Sequence, residues 1–250
     1  MNKNIISFAT DSNYISYAVA LLESLKKVGT SADVLCRCVD MDDPGDICRV
    51  YPKIKIKHDN PVLSKKKTLL KDLGMALSYT YKGNFNNSEG INNIRKTLYS
   101  PRAAYTCHSR FKTIVELLEL GYECIVYIDA DTIFNKCIDI LFESTECDLR
   151  VVPITQSGET YMFRNEGLLV INNGNYIRDY FTTIRDHIFN GDDYLDWDID
   201  TIALQQFYSE EIKVGFLDDK FKDRLHHDES YMWSGDGIHK YKPKFESLST

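Results

Sequence analysis

The chain has 250 residues, 43% hydrophobic and 27% charged, enough for one α/β core with a solvated surface. Acidic residues outnumber basic ones, 37 to 30, and the net charge of −7 argues against a nucleic-acid binder, which needs a basic face. No apolar run is long enough to span a bilayer, and the apolar stretch after Met1 is too short for a signal peptide.

Ile5 to Ala9 reads as a short buried strand. Thr10-Asp11-Ser12-Asn13 offers helix caps, and Tyr14, Tyr17, Ala18, Leu21, Leu22, Leu25 and Val28 then recur at helical spacing up to Gly29. Ala32 to Val39 reads as a second strand ending at Asp40, and Ile54 to Ile56 as a third. Strand, helix, strand predicts a Rossmann-like start with a parallel sheet. Residues 60–100 break the pattern, with Lys65-Lys66-Lys67, a helix around Leu69 to Leu77, and a polar loop from Gly83 to Gly90. This is an excursion from the core, and the lysine run reads first as a solvated face.

Pro101 opens a strong helix to Leu120, with Gly121 as its stop. Its inward stripe is Ala103, Cys107, Ile114 and Leu118, and Arg110 falls on the same stripe. A charge that faces a core must be paired or reach a site.

Next comes Ile125-Val-Tyr-Ile-Asp129-Ala-Asp131-Thr-Ile-Phe134, an apolar strand running into two carboxylates at i, i+2. Chemistry in open α/β sheets gathers where such strands end. Both acids can turn toward one Mg²⁺ or Mn²⁺, ions that prefer oxygen ligands and bridge to substrate phosphates. The bland alternative is a strand end whose acids cap the following turn, with Arg110 in a structural ion pair to Asp129 or another acid.

Asp139 to Phe142 continues as a turn or short helix. Leu149 to Ile154 and Leu168 to Ile171 are further strands. Asn175 is placed to cap a helix carrying Ile177, Tyr180, Phe181, Ile184 and Ile188, ended by Gly191. Residues 199–208 form a short helix, Ile212 to Leu217 a last strand, and residues 224–250 a tail rich in His, Trp, Gly and Lys. Without a repeat or clear linker, residues 1–250 read as one α/β domain. The seven cysteines are odd in number and scattered, and they read as reduced and mostly buried in a cytoplasmic protein.

Five segments together resemble the GT-A glycosyltransferases, especially family 8. They are Thr10-Asp11-Ser12-Asn13-Tyr14, Ser109-Arg110-Phe111, Tyr127-Ile-Asp129-Ala-Asp131-Thr, Arg164-Asn165-Glu166-Gly167 with the strand after it, and Trp197-Asp198-Ile199-Asp200-Thr201. The resemblance implies a single Rossmann-like GT-A domain and transfer of a sugar from a nucleotide-diphosphate sugar to a hydroxyl acceptor such as a glycan. A UDP-sugar is favoured and a GDP-sugar is the second choice. It implies Asp129 and Asp131 as ligands of Mn²⁺ or Mg²⁺ and Arg110 on the donor phosphates. Thr10, Asp11, Asn13 and Tyr14 are implied at the base and ribose, and Ala130, Asn165 and Gly167 along the donor. Asp198 or Asp200 lies under the reacting sugar, as positioner, proton acceptor or electrostatic stabiliser.

Two positions depart from the family pattern. Ile199 stands where the family has glutamine, and Met232 where a third metal ligand, a histidine, is usual. His239 is the substitute ligand considered first, with His227 or water as alternatives. Gly235, Gly237 and Lys240 remain placed to close over the diphosphate. Trp197 and Trp233 are candidates to stack on sugar rings, or else core residues.

A rival reading is a haloacid-dehalogenase-like phosphatase, with Asp129 as nucleophile, Asp131 as acid/base, Thr155 on the phosphate and Asp218-Asp219 as the second acidic pair. A second is a nucleotide- or carbohydrate-binding module without turnover.

Overall fold

The computed structural model describes residues 2–61, 78–79, 96–97, 101–143, 146–156, 159–163, 167–190 and 199–235. The expected helix at 69–77, the loop at 83–90, Gly191 and most of the closing tail lie outside the described residues, as does most of the 60–100 excursion.

β1 (Asn4–Thr10) is buried from Ile5 onward, as an apolar run closed on both faces should be. α1 (Ile15–Val28) buries Ala18, Leu21, Leu22 and Leu25 on one face. Gly29, at φ 77°, ends it by donating its N–H to the Leu25 carbonyl at 2.8 Å. The expected caps do not act on this helix. Tyr14 holds the N-cap position without a side-chain cap bond, and the Asp11 carboxylate instead takes the N–H of Asn13. β2 (Asp33–Val39) and β3 (Lys55–Asp59) follow, joined through α2 (Gly45–Val50). Asp43 stabilises the start of α2 by accepting the Gly45 N–H at 2.8 Å, and Ile47 anchors it in the core. β4 (Ser78–Tyr79) and β5 (Lys96–Thr97) pair antiparallel.

α3 (Pro101–Glu119) leads into β6 (Cys124–Ile128) and β7 (Thr132–Phe134). After a 3₁₀ turn at Asp139–Phe142, the single strand expected at 149–154 divides in two. β8 (Leu149–Val151) stays in the main sheet, whereas β9 (Ile154–Gln156) pairs with β10 (Glu159–Tyr161). Pro153 sits at the break and has no N–H to give a ladder. β11 (Leu168–Asn172), α4 (Asn175–Phe189), α5 (Ile199–Gln206), β12 (Val214–Phe216) and β13 (Met232–Ser234) complete the order. Gly174, not Asn175, is the N-cap of α4 and makes no side-chain cap bond.

The seven-stranded sheet runs β12-β8-β11-β6-β1-β2-β3. It is mostly parallel, with β11 antiparallel to both its neighbours. Alternate residues of β6 feed two cores. Ile125 and Tyr127 face the core of α3, α4 and α5, while Val126 and Ile128 face the core of α1 and α2. From β1 the chain winds outward to β2 and β3, then returns to place β6 on the other side of β1. The order therefore reverses between β1 and β6, and open α/β sheets place ligands beyond the carboxyl ends of such a pair.

A buried cation braces this half of the sheet. Arg37 of β2 reaches Asp59 at 2.8 Å, Glu116 at 2.5 Å and the Thr113 hydroxyl at 2.6 Å, tying β3 and α3 to the sheet. None of the seven cysteines forms a disulfide, and only Cys36, Cys38 and Cys124 are buried, fewer than expected. Among the described residues no helix is long and apolar enough to cross a membrane.

Candidate active site

The turn after β1 and the turn after β6 lie side by side at the reversal of strand order. After β1, Thr10 and Asp11 are buried. The Asp11 carboxylate accepts the Asn13 N–H at 2.9 Å, and its carbonyl accepts the Tyr14 N–H at 3.0 Å. These bonds hold residues 10–14 in a tight turn. Tyr14 is half-buried, with its ring 5.4 Å from that of Tyr17. Arg102, near the start of α3, reaches Asp40 at 2.6 Å and the Ser12 hydroxyl at 3.5 Å, joining the ends of β1 and β2.

Asp129 is the first residue beyond β6. Its N–H bonds the Gly167 carbonyl at 3.0 Å. One carboxylate oxygen faces Arg110 Nη2 at 3.5 Å, and the other faces Lys222 Nζ at 3.9 Å. The Arg110 side chain is 4% exposed and also lies 3.8 Å from Asp200. It donates to the Cys107 carbonyl at 2.9 Å and stands over the Tyr127 ring at 5.7 Å. Burial opposes its charge, but the neighbouring Asp129 and Asp200 carboxylates favour it, and its pKa is held well above the usual arginine value. The helical stripe expected to carry Arg110 inward is therefore real, and the charge is paired with two acids rather than one.

Asp200 is buried on α5. One oxygen accepts the Thr201 N–H at 2.8 Å and the other faces Arg110. Ile199, by contrast, packs into the core beside α3 and α4.

Asp131 is buried, and its carbonyl accepts the Gly235 N–H at 2.7 Å. β13 pairs antiparallel with β7 and so carries the chain back over the aspartate turn. Met232 is buried in β13 opposite Phe134, in a core position. Trp233 packs with Ala20 and Ile133 and donates its indole N–H to the His227 carbonyl at 2.7 Å, so it belongs to the core and not to a sugar platform. His227 turns toward Asp223, its Nδ1 3.1 Å from the carboxylate. Asp198, Asn165, Gly237, His239 and Lys240 lie outside the described residues.

Two groups bear on metal binding. The carboxylates of Asp129 and Asp131 are hard oxygen donors suited to Mn²⁺ or Mg²⁺. Asp129 is 30% exposed, and its cationic neighbours stand beyond ordinary charge-assisted hydrogen-bond length, so its oxygens stay accessible to an ion. The second group is Cys107, His108 and Asp200, whose ligand atoms lie within 4.8 Å of one another. It fits a hard cation poorly. Burial pushes the Cys107 thiol well up, which keeps it neutral, and Arg110 Nη2 already stands 2.8 Å from its sulfur. We read this cluster as the floor of the site, with the guanidinium as its cation.

Lys222 and the contact role of Gly167 were not legible in the chain. A Cβ on Gly167 would lie 2.0 Å from Asp129 Oδ2 and 2.3 Å from Lys222 Nζ. Lys222 is one of several charged residues in Asp218-Asp219-Lys220-Phe221-Lys222-Asp223-Arg224, with no local signal that it alone turns inward.

The Glycosyl transferase family 8 model matches residues 5–183. Among solved structures, the galactosyltransferase LgtC in complex with donor and acceptor sugar analogues is 15% identical at a TM-score of 0.58, covering 98% of this chain and 95% of that one. The glycosyltransferase GlyE of Streptococcus pneumoniae TIGR4 is 16% identical at a TM-score of 0.53, covering 88% of this chain and 46% of that longer one. At these identities the structures establish a shared fold, the GT-A architecture. No curated protein sequence matches the chain.

Proposed function

This chain belongs to glycosyl transferase family 8 and is a glycosyltransferase, and on that premise we propose that it moves a sugar from a nucleotide-diphosphate sugar to a hydroxyl acceptor, with a UDP-sugar as the favoured donor, a GDP-sugar as the second choice and a glycan as the acceptor. The reading takes residues 1–250 as one domain. The observation that carries it is Arg110, buried and held between Asp129 and Asp200 at the reversal of strand order.

In this reading Asp129 and Asp131 hold Mn²⁺ or Mg²⁺, with His239 as the candidate third ligand. When bound, the ion is a Lewis acid toward the departing diphosphate. Arg110 donates to the same oxygens as negative charge builds on them, a preorganised cation whose burial and acid neighbours keep it protonated. Asp198 or Asp200 serves the sugar as positioner, proton acceptor or electrostatic stabiliser as positive charge develops at its anomeric carbon. Thr10, Asp11, Asn13 and Tyr14 hold the base and ribose, and Ala130, Asn165 and Gly167 line the donor. Gly235, Gly237 and Lys240 close over the diphosphate. Seven cysteines that form no disulfide fit a reducing, cytoplasmic setting.

The family assignment removes the support for the phosphatase reading. Its second acidic pair, Asp218 and Asp219, is exposed, and Asp218 caps the 3₁₀ turn at Asp219–Phe221.

The test is a panel of nucleotide-sugars scored by thermal stabilisation with and without Mn²⁺, followed by release of free nucleotide. A donor at one hundred times its Kd should stabilise the protein by about 2.7 kcal/mol. Asp129→Asn and Asp131→Asn should lose both the metal-dependent stabilisation and turnover. Full activity in either variant would refute the site.

A further inference from the structure

We propose that Lys222 is a built-in counter-cation of Asp129 and makes binding of a divalent metal conditional on the donor diphosphate. The inference rests on the reading of Asp129 and Asp131 as metal ligands.

Each oxygen of the Asp129 carboxylate faces a cation, Arg110 at 3.5 Å on one side and Lys222 at 3.9 Å on the other. The Lys222 side chain is only 6% exposed, and a lysine is rarely buried so far without an anionic partner. Its position is set by the main chain. Phe221 stacks on Tyr231 at 4.5 Å, Tyr231 N–H bonds the Lys220 carbonyl at 2.9 Å, and Asp223 N–H bonds the Met232 carbonyl at 3.1 Å. The same stretch ends at Gly235, whose N–H bonds the Asp131 carbonyl. One segment therefore brings an ammonium to the first aspartate and a backbone donor to the second. Gly167 supplies the room for this, because its Cβ would fill the space where carboxylate and ammonium meet.

The consequence is electrostatic. Asp129, Asp131 and Asp200 bring three negative charges, and Arg110 and Lys222 bring two positive ones, which leaves one net negative charge. A fixed cation about 4 Å from a carboxylate weakens its pull on a second cation by roughly tenfold or more. A diphosphate adds negative charge and gives the lysine, a flexible point charge with three donors, another partner. Metal and donor then favour each other, and the coupling is reciprocal.

The experiment measures Mn²⁺ affinity of the full chain by titration calorimetry and by the paramagnetic resonance signal of free Mn²⁺, with and without UDP. Wild type should bind Mn²⁺ weakly alone and roughly tenfold or more tightly with UDP. Lys222→Met and Lys222→Gln should tighten Mn²⁺ binding without UDP by about tenfold and shrink the gain that UDP brings, while Lys222→Arg restores wild-type behaviour. Variants that bind Mn²⁺ alone no better than wild type, yet still bind Mn²⁺ with UDP, overturn the proposal. Wild type that binds Mn²⁺ equally well with and without UDP also overturns it, independently of whether any variant folds. Wild type that binds neither UDP nor GDP, with or without metal, sinks the donor-site reading itself.

Discussion

A Cβ on Gly167 would lie 2.0 Å from the Oδ2 of Asp129, well inside van der Waals contact. The backbone at 167 is one wall of the Asp129 carboxylate, and its carbonyl also fixes the Asp129 N–H. The glycine is required by this close approach.

Gly167→Ala should therefore push the carboxylate out of place. A displacement of about 1 Å near reacting groups costs on the order of 10²-fold in rate. We expect a loss of that order in kcat/KM and weakened Mn²⁺-dependent stabilisation by UDP. Overpacking should cost about 1–3 kcal/mol of folding stability. Steady-state kinetics and urea unfolding separate the two effects, and wild-type kinetics in this variant would show that Asp129 is not held where the reaction needs it.

Arg110→Ala removes the cation shared by Asp129 and Asp200. Loss of a donor to a developing oxyanion costs about 2–4 kcal/mol in kcat. Breaking a buried ion pair by removing one partner costs about 3–5 kcal/mol in stability, because the remaining charge stays buried. Arg110→Lys keeps the charge without the planar fork and should fall between wild type and alanine in kcat. If donor hydrolysis by Arg110→Ala proceeds at the wild-type rate in folded protein, the arginine is structural only.

Asp223 couples the Lys222 segment to pH. Burial opposes its charge, yet the N–H groups of His227 and Leu225 and the Ser230 hydroxyl bond the charged form and hold its pKa below the ordinary carboxylate value. A lowered folded-state pKa means stability that is fully present above the unfolded pKa of about 3.9 and is lost as pH falls through the lower folded value. Asp223→Asn should thus be less stable than wild type at neutral pH, with the difference shrinking below about pH 4. Urea midpoints across pH 2 to 7, a window of roughly that span, test this. A difference that stays constant over the window would contradict the assignment.

Arg37→Ala should cost about 1–3 kcal/mol in unfolding free energy, since Asp59 and Glu116, whose side chains are 17% and 40% exposed, lose their cation but keep part of their hydration. Arg37→Met, which fills the space without the charge, should recover little while those carboxylates remain. The folded fraction of either variant should bind Mn²⁺ and UDP as wild type does, because Arg37 braces the sheet away from Asp129. Calorimetry at a temperature where the variants stay folded checks this, and a changed affinity would mean that the brace reaches the site.

Much of the fold was legible because local rules govern it. Gly29 and Gly121 end their helices where expected, both at positive φ. The apolar run before Asp129 is the doubly buried strand that it reads as. Failures cluster where short polar residues admit more than one local structure. Asp11 serves its own turn instead of capping α1, and Pro153 divides a strand. Trp233 illustrates a different limit, since an aromatic residue fits equally a core or a sugar platform until its neighbours are known.

The amino-acid order by itself determined the strand and helix frame and the two aspartates at a strand end, since periodicity, capping and chain stiffness act between residues close in sequence. Folding alone decided that Arg110 stands between Asp129 and Asp200, that Lys222 meets the same carboxylate, and that Gly167 must leave room for both. Those relations join distant segments, and Coulomb forces and steric exclusion depend on separation in space, which sequence distance does not record.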